Sequence, residues 1–138
     1  MRRLGRQALA VMAWVFVGGV VLQVFFAGMG LFGVTSMEYH VGFGYLLPYV
    51  PMLMALLALV ARPDRRTAAL LLLLLLLGGF VQPMLPWLRQ DLPLVAALHP
   101  PNALIVFWIG LVVARRTTRL VRSTSGGPQP IEGSTQAA

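Results

Sequence analysis

Four stretches of this chain carry no charge, and each is long enough to cross a lipid bilayer. They are Gln7 to Met37 (31 residues), Tyr39 to Ala61 (23), Thr67 to Leu88 (22) and Leu92 to Ala114 (23). A helix rises about 1.5 Å per residue and a hydrocarbon core is about 30 Å thick, so about 20 apolar residues suffice. Backbone groups in lipid must find partners within the segment, and the alternation of barrel strands is absent, so the windows predict helices. Hydrophobic residues make up 58% and charged ones 11%, against roughly 45–50% and about 25% in soluble domains.

The charges that remain sit at the window edges. The net charge of +7 comes from 11 arginines, no lysine and four acids. Arg2, Arg3 and Arg6, then Arg62, Arg65 and Arg66, then Arg115, Arg116, Arg119 and Arg122 each border an apolar segment. No phosphate-tracking basic face is left, which argues against nucleic acid as a partner. Four spans gather 10 of the 11 arginines on one side, leaving Arg89 with Glu38 and Asp91 on the other. The positive-inside rule then predicts both termini in the cytoplasm. The first window is about twice the 7–15 residues of a signal-peptide core, so a retained helix is expected.

Punctuation sets the boundaries. Thr35-Ser36-Met37-Glu38 has capping-box spacing, Arg62-Pro63-Asp64 ends one helix and caps the next, and Asp91-Leu92-Pro93 reads as an N-cap with an early proline. Trp87 marks the outer interface. Pro48 and Pro51 predict a kink in the second helix, and Pro100 and Pro101 one in the fourth. The expected fold is all-α: a four-helix transmembrane bundle, up-down-up-down, over residues 1–122, with helices at about 7–32, 36–61, 65–87 and 92–115. Residues 123–138, rich in Ser, Thr, Gly and Pro, read as a disordered cytoplasmic tail.

Polar side chains inside a membrane are costly and are functional candidates by default. Here they are Gln23, His40, Gln82, His99 and Asn102, all in the expected outer half. A small residue lies one turn deeper than four of them: Gly19, Gly44, Gly78 and Ala103. Positions four apart share a helix face, so each helix offers a polar group with space beneath it. Either close packing with interhelical hydrogen bonds or a polar pocket fits this pattern. His40 and His99 differ in expected depth by roughly 4–5 Å at 1.5 Å per residue, a mismatch that kinked helices can absorb.

Two neutral imidazoles from opposed helices are the axial ligand set of a haem iron, with Gly44 and Ala103 leaving room for the macrocycle and Asn102 free for an imidazole or a propionate. A zinc site needs three or four ligands, and neither an intramembrane carboxylate nor any cysteine is present. No phosphate loop, nucleophile triad or carboxylate pair specifies a reaction, so an enzyme is not the expectation. Three readings follow. The chain is a non-enzymatic accessory or small-ligand-binding membrane protein, alone, with a membrane-protein partner or as a homo-oligomer. It is a bis-histidine haem protein in electron transfer. Or it transports a small lipophilic molecule, although the two helix pairs share polarity placement but little sequence, and transporters are commonly built from repeats.

Phe25-Phe26-Ala27-Gly28-Met29-Gly30-Leu31-Phe32-Gly33, His40 with Gly44, Gln82-Pro83-Met84-Leu85-Pro86 and Leu98-His99-Pro100-Pro101-Asn102-Ala103-Leu104 together resemble a family of small four-helix bacterial membrane proteins, mainly actinobacterial. That resemblance implies a four-helix fold and a location in the bacterial cytoplasmic (cell) membrane, and no activity. More distantly, histidines near the outer ends of helices two and four resemble half of a haem A synthase. The other half and its loop signatures are missing, so synthase activity is not implied.

Overall fold

Long runs of Leu, Val, Ala and Met without interior charge leave the backbone one way to satisfy itself, and the chain takes it. The computed structural model describes residues 1–123, all α-helix and related turns with no strand among them. The expected tail lies outside the described residues from 124 onward. Four helical spans are long and apolar enough to cross a membrane: Arg2–Leu31, Glu38–Ala61, Arg65–Arg89 and Pro93–Ser123.

The first span is one helix, α1 (Arg2–Leu31). The second divides into α2 (Glu38–Leu46) and α3 (Tyr49–Ala61). Pro48 and Pro51 have no N–H to return to Gly44 and Leu47, and the Leu47 carbonyl takes the Val50 N–H at 3.1 Å instead. The third begins as α4 (Arg65–Leu74), widens into a π-helical turn over Leu75–Val81, passes through α5 (Gln82–Met84) and tightens to a 3₁₀ turn over Leu85–Arg89. The fourth is a short α6 (Pro93–Ala96) and a long α7 (His99–Ser123). Pro100 and Pro101 therefore lie in the first turn of α7, where a missing N–H costs little, and the break falls before them at Ala97 and Leu98. The arginines at both termini are helical too, so α1 begins at Arg2 and α7 runs on to Ser123.

Neighbouring spans run antiparallel. Arg6 Nε reaches the Ala61 carbonyl at 3.3 Å while Gln23 reaches His40, and Arg116 reaches Asp64 while Gln82 reaches His99. One end of the bundle thus carries most arginines and the other both histidines. Around the bundle the spans follow chain order, so the first and third face each other across the centre, as do the second and fourth. Phe16, 1% exposed, fills that centre among Leu9, Met54, Leu74 and Val113. A Cβ on Gly110 would lie 2.9 Å from its ring and one on Gly78 3.4 Å. Lipid tails are as apolar as leucine, so this close fit, and not water exclusion, holds the helices together.

The turns differ in how they close. Gly33 takes φ +71° after α1, a conformation open to glycine at little cost. Arg62 ends α3 at φ 49°, a left-handed cap that a non-glycine residue rarely supplies, with Pro63 stopping the helix. Neither Ser36 nor Asp91 becomes an N-cap. The second span starts at Glu38, whose N–H lies 3.4 Å from Ser36 Oγ, and Leu92 holds the cap position before α6. Asp64 does cap α4, accepting from the backbone N–H of Arg66 and Thr67 at 3.1 and 3.2 Å. It also accepts the Thr67 hydroxyl at 2.6 Å and pairs with Arg116 at 2.9 Å.

The Thr67 hydroxyl foremost, with the Thr67 N–H and Arg116 adding to it, holds the Asp64 carboxyl at about 2, against 3.8 for a free side chain. Because the folded value lies below the unfolded one, this stabilisation is complete above pH of about 4 and is lost as pH falls through about 2. Asp64→Ala should lower stability in detergent by about 1 kcal/mol at neutral pH. The difference from the parent chain should shrink only in strong acid, read as thermal unfolding midpoints across a pH series.

Candidate functional site

The polar residues of the spans meet at the histidine end in two matching sets. In the first hairpin Gln23 Nε2 donates to the His40 carbonyl at 2.8 Å, and His40 Nδ1 lies 3.1 Å from the Gln23 carbonyl. In the second Gln82 Nε2 donates to the His99 carbonyl at 3.1 Å, and His99 Nδ1 lies 3.0 Å from the Gln82 carbonyl. Each pair is a reciprocal clasp, side chain to main chain in both directions. Pro86 explains one of the acceptors: with no N–H to return to Gln82, it leaves that carbonyl for His99.

A carbonyl oxygen can only accept, so both Nδ1 atoms carry a proton, which in a neutral ring leaves the lone pair on Nε2. His40 Nε2 has no hydrogen-bond partner among the described residues. Gln82 Nε2 lies 3.4 Å from His99 Nε2, at the far limit of a hydrogen bond and longer than its contact with the His99 carbonyl. The two rings face each other across the centre of the bundle, centroids 6.2 Å apart and planes at 83°. The breaks in the second and fourth spans remove the depth mismatch that straight helices predict.

Asn102, 8% exposed, works on the protein itself. Its Nδ2 donates to Gln82 Oε1 at 2.6 Å and to the Leu77 carbonyl at 3.2 Å. The Gln82 N–H returns to that same Leu77 carbonyl, five residues back, closing the wide turn. Asn102 thus secures the π-helical segment and Gln82 together, and its amide is already engaged instead of free for a propionate.

The space expected beneath the polar groups is filled. A Cβ on Gly44 would come within 2.7 Å of Gln23 Nε2, one on Gly19 within 2.7 Å of Leu47, and one on Gly78 within 3.2 Å of Val106. At these three positions the small residues permit close packing. Two surface hollows lie elsewhere at this end. One of about 450 Å³ is lined by Tyr45, Tyr49, Met52, Pro83 and Trp87 among others, and one of about 510 Å³ by Phe26, Tyr39, Phe43 and Leu46 among others. Neither is lined by an imidazole.

The matching clasps give the shared polarity placement of the two helix pairs a common spacing, which sequence reading did not find. Glutamine and histidine are 17 residues apart in both hairpins. One offset of 59 residues takes Gly19 to Gly78, Gln23 to Gln82, His40 to His99, and also Arg6 to Arg65 and Ala10 to Ala69. A shift of the chain against itself carries this signal, although most positions between differ. The two hairpins enter the bundle in the same sense, and their imidazoles meet from the diagonal second and fourth spans.

The profile of a family of unknown function (DUF6220) matches residues 23–89. The match includes Gln23, His40 and Gln82 and stops short of His99 and Asn102. No curated protein and no solved structure matches the chain.

Removing the Asn102 amide strips a partner from two acceptors inside the bundle. Asn102→Leu should therefore cost about 1–3 kcal/mol, whereas Phe43→Leu at the equivalent place should cost less. Unfolding of both variants in detergent checks the order.

Proposed function

We propose that the chain is a multi-pass protein of the bacterial cytoplasmic membrane, with both termini inside, that binds a small ligand between its two hairpins and catalyses no reaction of its own. Ten of 11 arginines at one end of the bundle support the orientation. His40, His99 and their two glutamines then lie in the outer leaflet.

A haem iron suits the two nitrogen donors, and a macrocycle between them would require the spans to part, because the packing beside Gly19, Gly44 and Gly78 is closed. One observation carries this reading: two imidazoles on diagonal spans, each Nδ1 tied to a backbone carbonyl, with centroids 6.2 Å apart. Metal–nitrogen bonds are about 2 Å, so two imidazoles on opposite sides of one ion have centroids roughly 6 Å apart. A ligating histidine characteristically donates its other N–H to a carbonyl or carboxylate, which fixes tautomer and ring. Two nitrogen ligands suit an iron whose remaining positions a macrocycle fills, and the described residues contain no cluster of three metal-binding side chains to serve a bare ion.

Bound there, haem would supply one-electron chemistry. His40 and His99 would hold the iron. Gln23 and Gln82 would fix the ring orientations by tying each histidine's main chain to the neighbouring span. Asn102 would steady Gln82. The surrounding apolar spans would keep water from the centre.

A second reading has its own support. Each clasp bonds one helix to the next whether or not anything lies between the rings, so the four residues also act as interhelical adhesive. The optical spectrum separates the two. Protein purified in mild detergent should show a Soret band, or gain one on addition of hemin, and His40→Ala or His99→Ala should abolish it. A colourless preparation that takes up no hemin would overturn the haem reading and leave the adhesive one.

Orientation has an independent test, because the chain contains no cysteine. Single cysteines placed at Ser36 and at Ser123 should label in intact cells with a membrane-impermeant maleimide at the first position only. Labelling at Ser123 without lysis would reverse the topology.

A further inference from the structure

Along α2, Glu38, Gly42 and Leu46 recur every fourth residue, and Tyr39 and Phe43 do the same one place on. Positions four apart share a helix face, so a carboxylate, a bare glycine and a leucine form one strip with two aromatic rings beside it. Phe26 of α1 closes the side, meeting Phe43 edge-on at 5.6 Å and Tyr39 at 6.0 Å. These six residues line the hollow of about 510 Å³ on the first hairpin. Gly42 keeps it open, because a Cβ there would meet nothing within 4 Å. At Gly19, Gly44 and Gly78, by contrast, a Cβ would come within 3.2 Å of a neighbouring side chain.

The charge in this lining has no counterpart. Glu38 stands in the first turn of α2, where a carboxylate suits the helix dipole. No ion pair or hydrogen bond to its side chain occurs among the described residues. Arg89, the one arginine at this end of the bundle, closes the third span and does not line the hollow. Aromatic ring faces are themselves electronegative and attract cations within about 6 Å. An anion is repelled by both parts of this lining, and a neutral molecule uses only the apolar part. Leu46 lies eight residues further into the span than Glu38, so the strip descends about 12 Å from the carboxylate.

We propose that this hollow binds a lipophilic organic cation, a quaternary ammonium on an apolar body, with its charge beside Glu38 and its body along Gly42 toward Leu46. A bare inorganic cation would leave the apolar part of the hollow unfilled, whereas methyl groups on nitrogen spread the charge over the ring faces. Neither histidine lines this hollow, so the site goes beyond the haem reading and does not depend on it.

Two probes test it by titration calorimetry at pH 8, on the full chain in neutral maltoside micelles with protein-free micelles as the blank. One is 4-butyl-N,N,N-trimethylanilinium. The other is 4-butyl-N,N-dimethylaniline, which lacks one methyl group and with it the charge. The cation should bind about tenfold more tightly than the amine. Glu38→Gln should bring the two probes to equal affinity. Gly42→Leu, whose side chain enters open space, should weaken both at least about tenfold without lowering the thermal midpoint, since leucine favours a helix more than glycine does. Equal binding of the probes by the parent chain would overturn the proposal, as would a preference that survives Glu38→Gln or binding undiminished in Gly42→Leu. Cation binding that added phosphatidylcholine abolishes would assign the hollow to a lipid headgroup and overturn the free ligand. The comparison of the probes on the parent chain stands even if a variant fails to fold. The Soret spectrum of the same samples reports separately on the imidazoles, so failure of this site and failure of the haem site are distinguishable.

Discussion

Every backbone N–H and C=O in the middle of a bilayer needs a partner within the protein, and this chain breaks its own helices where that requirement is hardest to meet. Prolines 48, 51, 83 and 86 withdraw donors from the second and third spans, and the turn over Leu75–Val81 widens past its regular pitch. Side chains make up part of the deficit. The carbonyls of Gln23, His40, Gln82, His99 and Leu77 all accept from a glutamine, histidine or asparagine of the adjacent span. Polar residues that look isolated along the chain are thus the partners of irregular or doubly used backbone.

Chemistry at the centre follows from the same bonds. Because both histidines spend Nδ1 on a carbonyl, neither ring turns freely, and in a neutral ring the lone pair sits on Nε2. The same contacts attach helix to helix and fix the orientation of both rings. At the opposite end, Asp64 and Arg116 tie the start of α4 to the last turns of α7. An exposed ion pair of this sort contributes little, and the cap that Asp64 gives to α4 is the larger part of its role.

The four spans and the Asp64 cap were legible because each has a strong local signal: uninterrupted apolar length, or an acid placed before a helix start. Helix ends were less so. Nothing between Arg2 and Gln7 breaks a helix, and the arginines after Ala114 are good helix formers, so charge marks where apolar length ends without marking where the helix does. The polar residues could be picked out one by one, but not their partners. That Asn102 serves Gln82 and Leu77 depends on the wide turn, which follows from the tertiary setting of Gly78 and Gly79 and not from a local rule. The glycines beside Gln23 and Gln82 suggested empty space, and only the neighbouring Leu47 and Val106 side chains show it to be occupied. The 59-residue offset stayed hidden because lipid-facing positions exchange Leu, Val, Ala and Phe freely.

A tandem chain has a liberty that a pair of identical hairpins lacks. Two copies of one hairpin meeting around a twofold axis must place the same residue at equivalent positions, so both would carry asparagine or both phenylalanine. Joined by the Arg62–Asp64 linker, the two hairpins of one chain are free to differ. The second hairpin has its glutamine oxygen satisfied by Asn102, and the first leaves Gln23 Oε1 without a partner among the described residues. A single chain thereby gives two similar hairpins inequivalent sides, which two identical hairpins could not have.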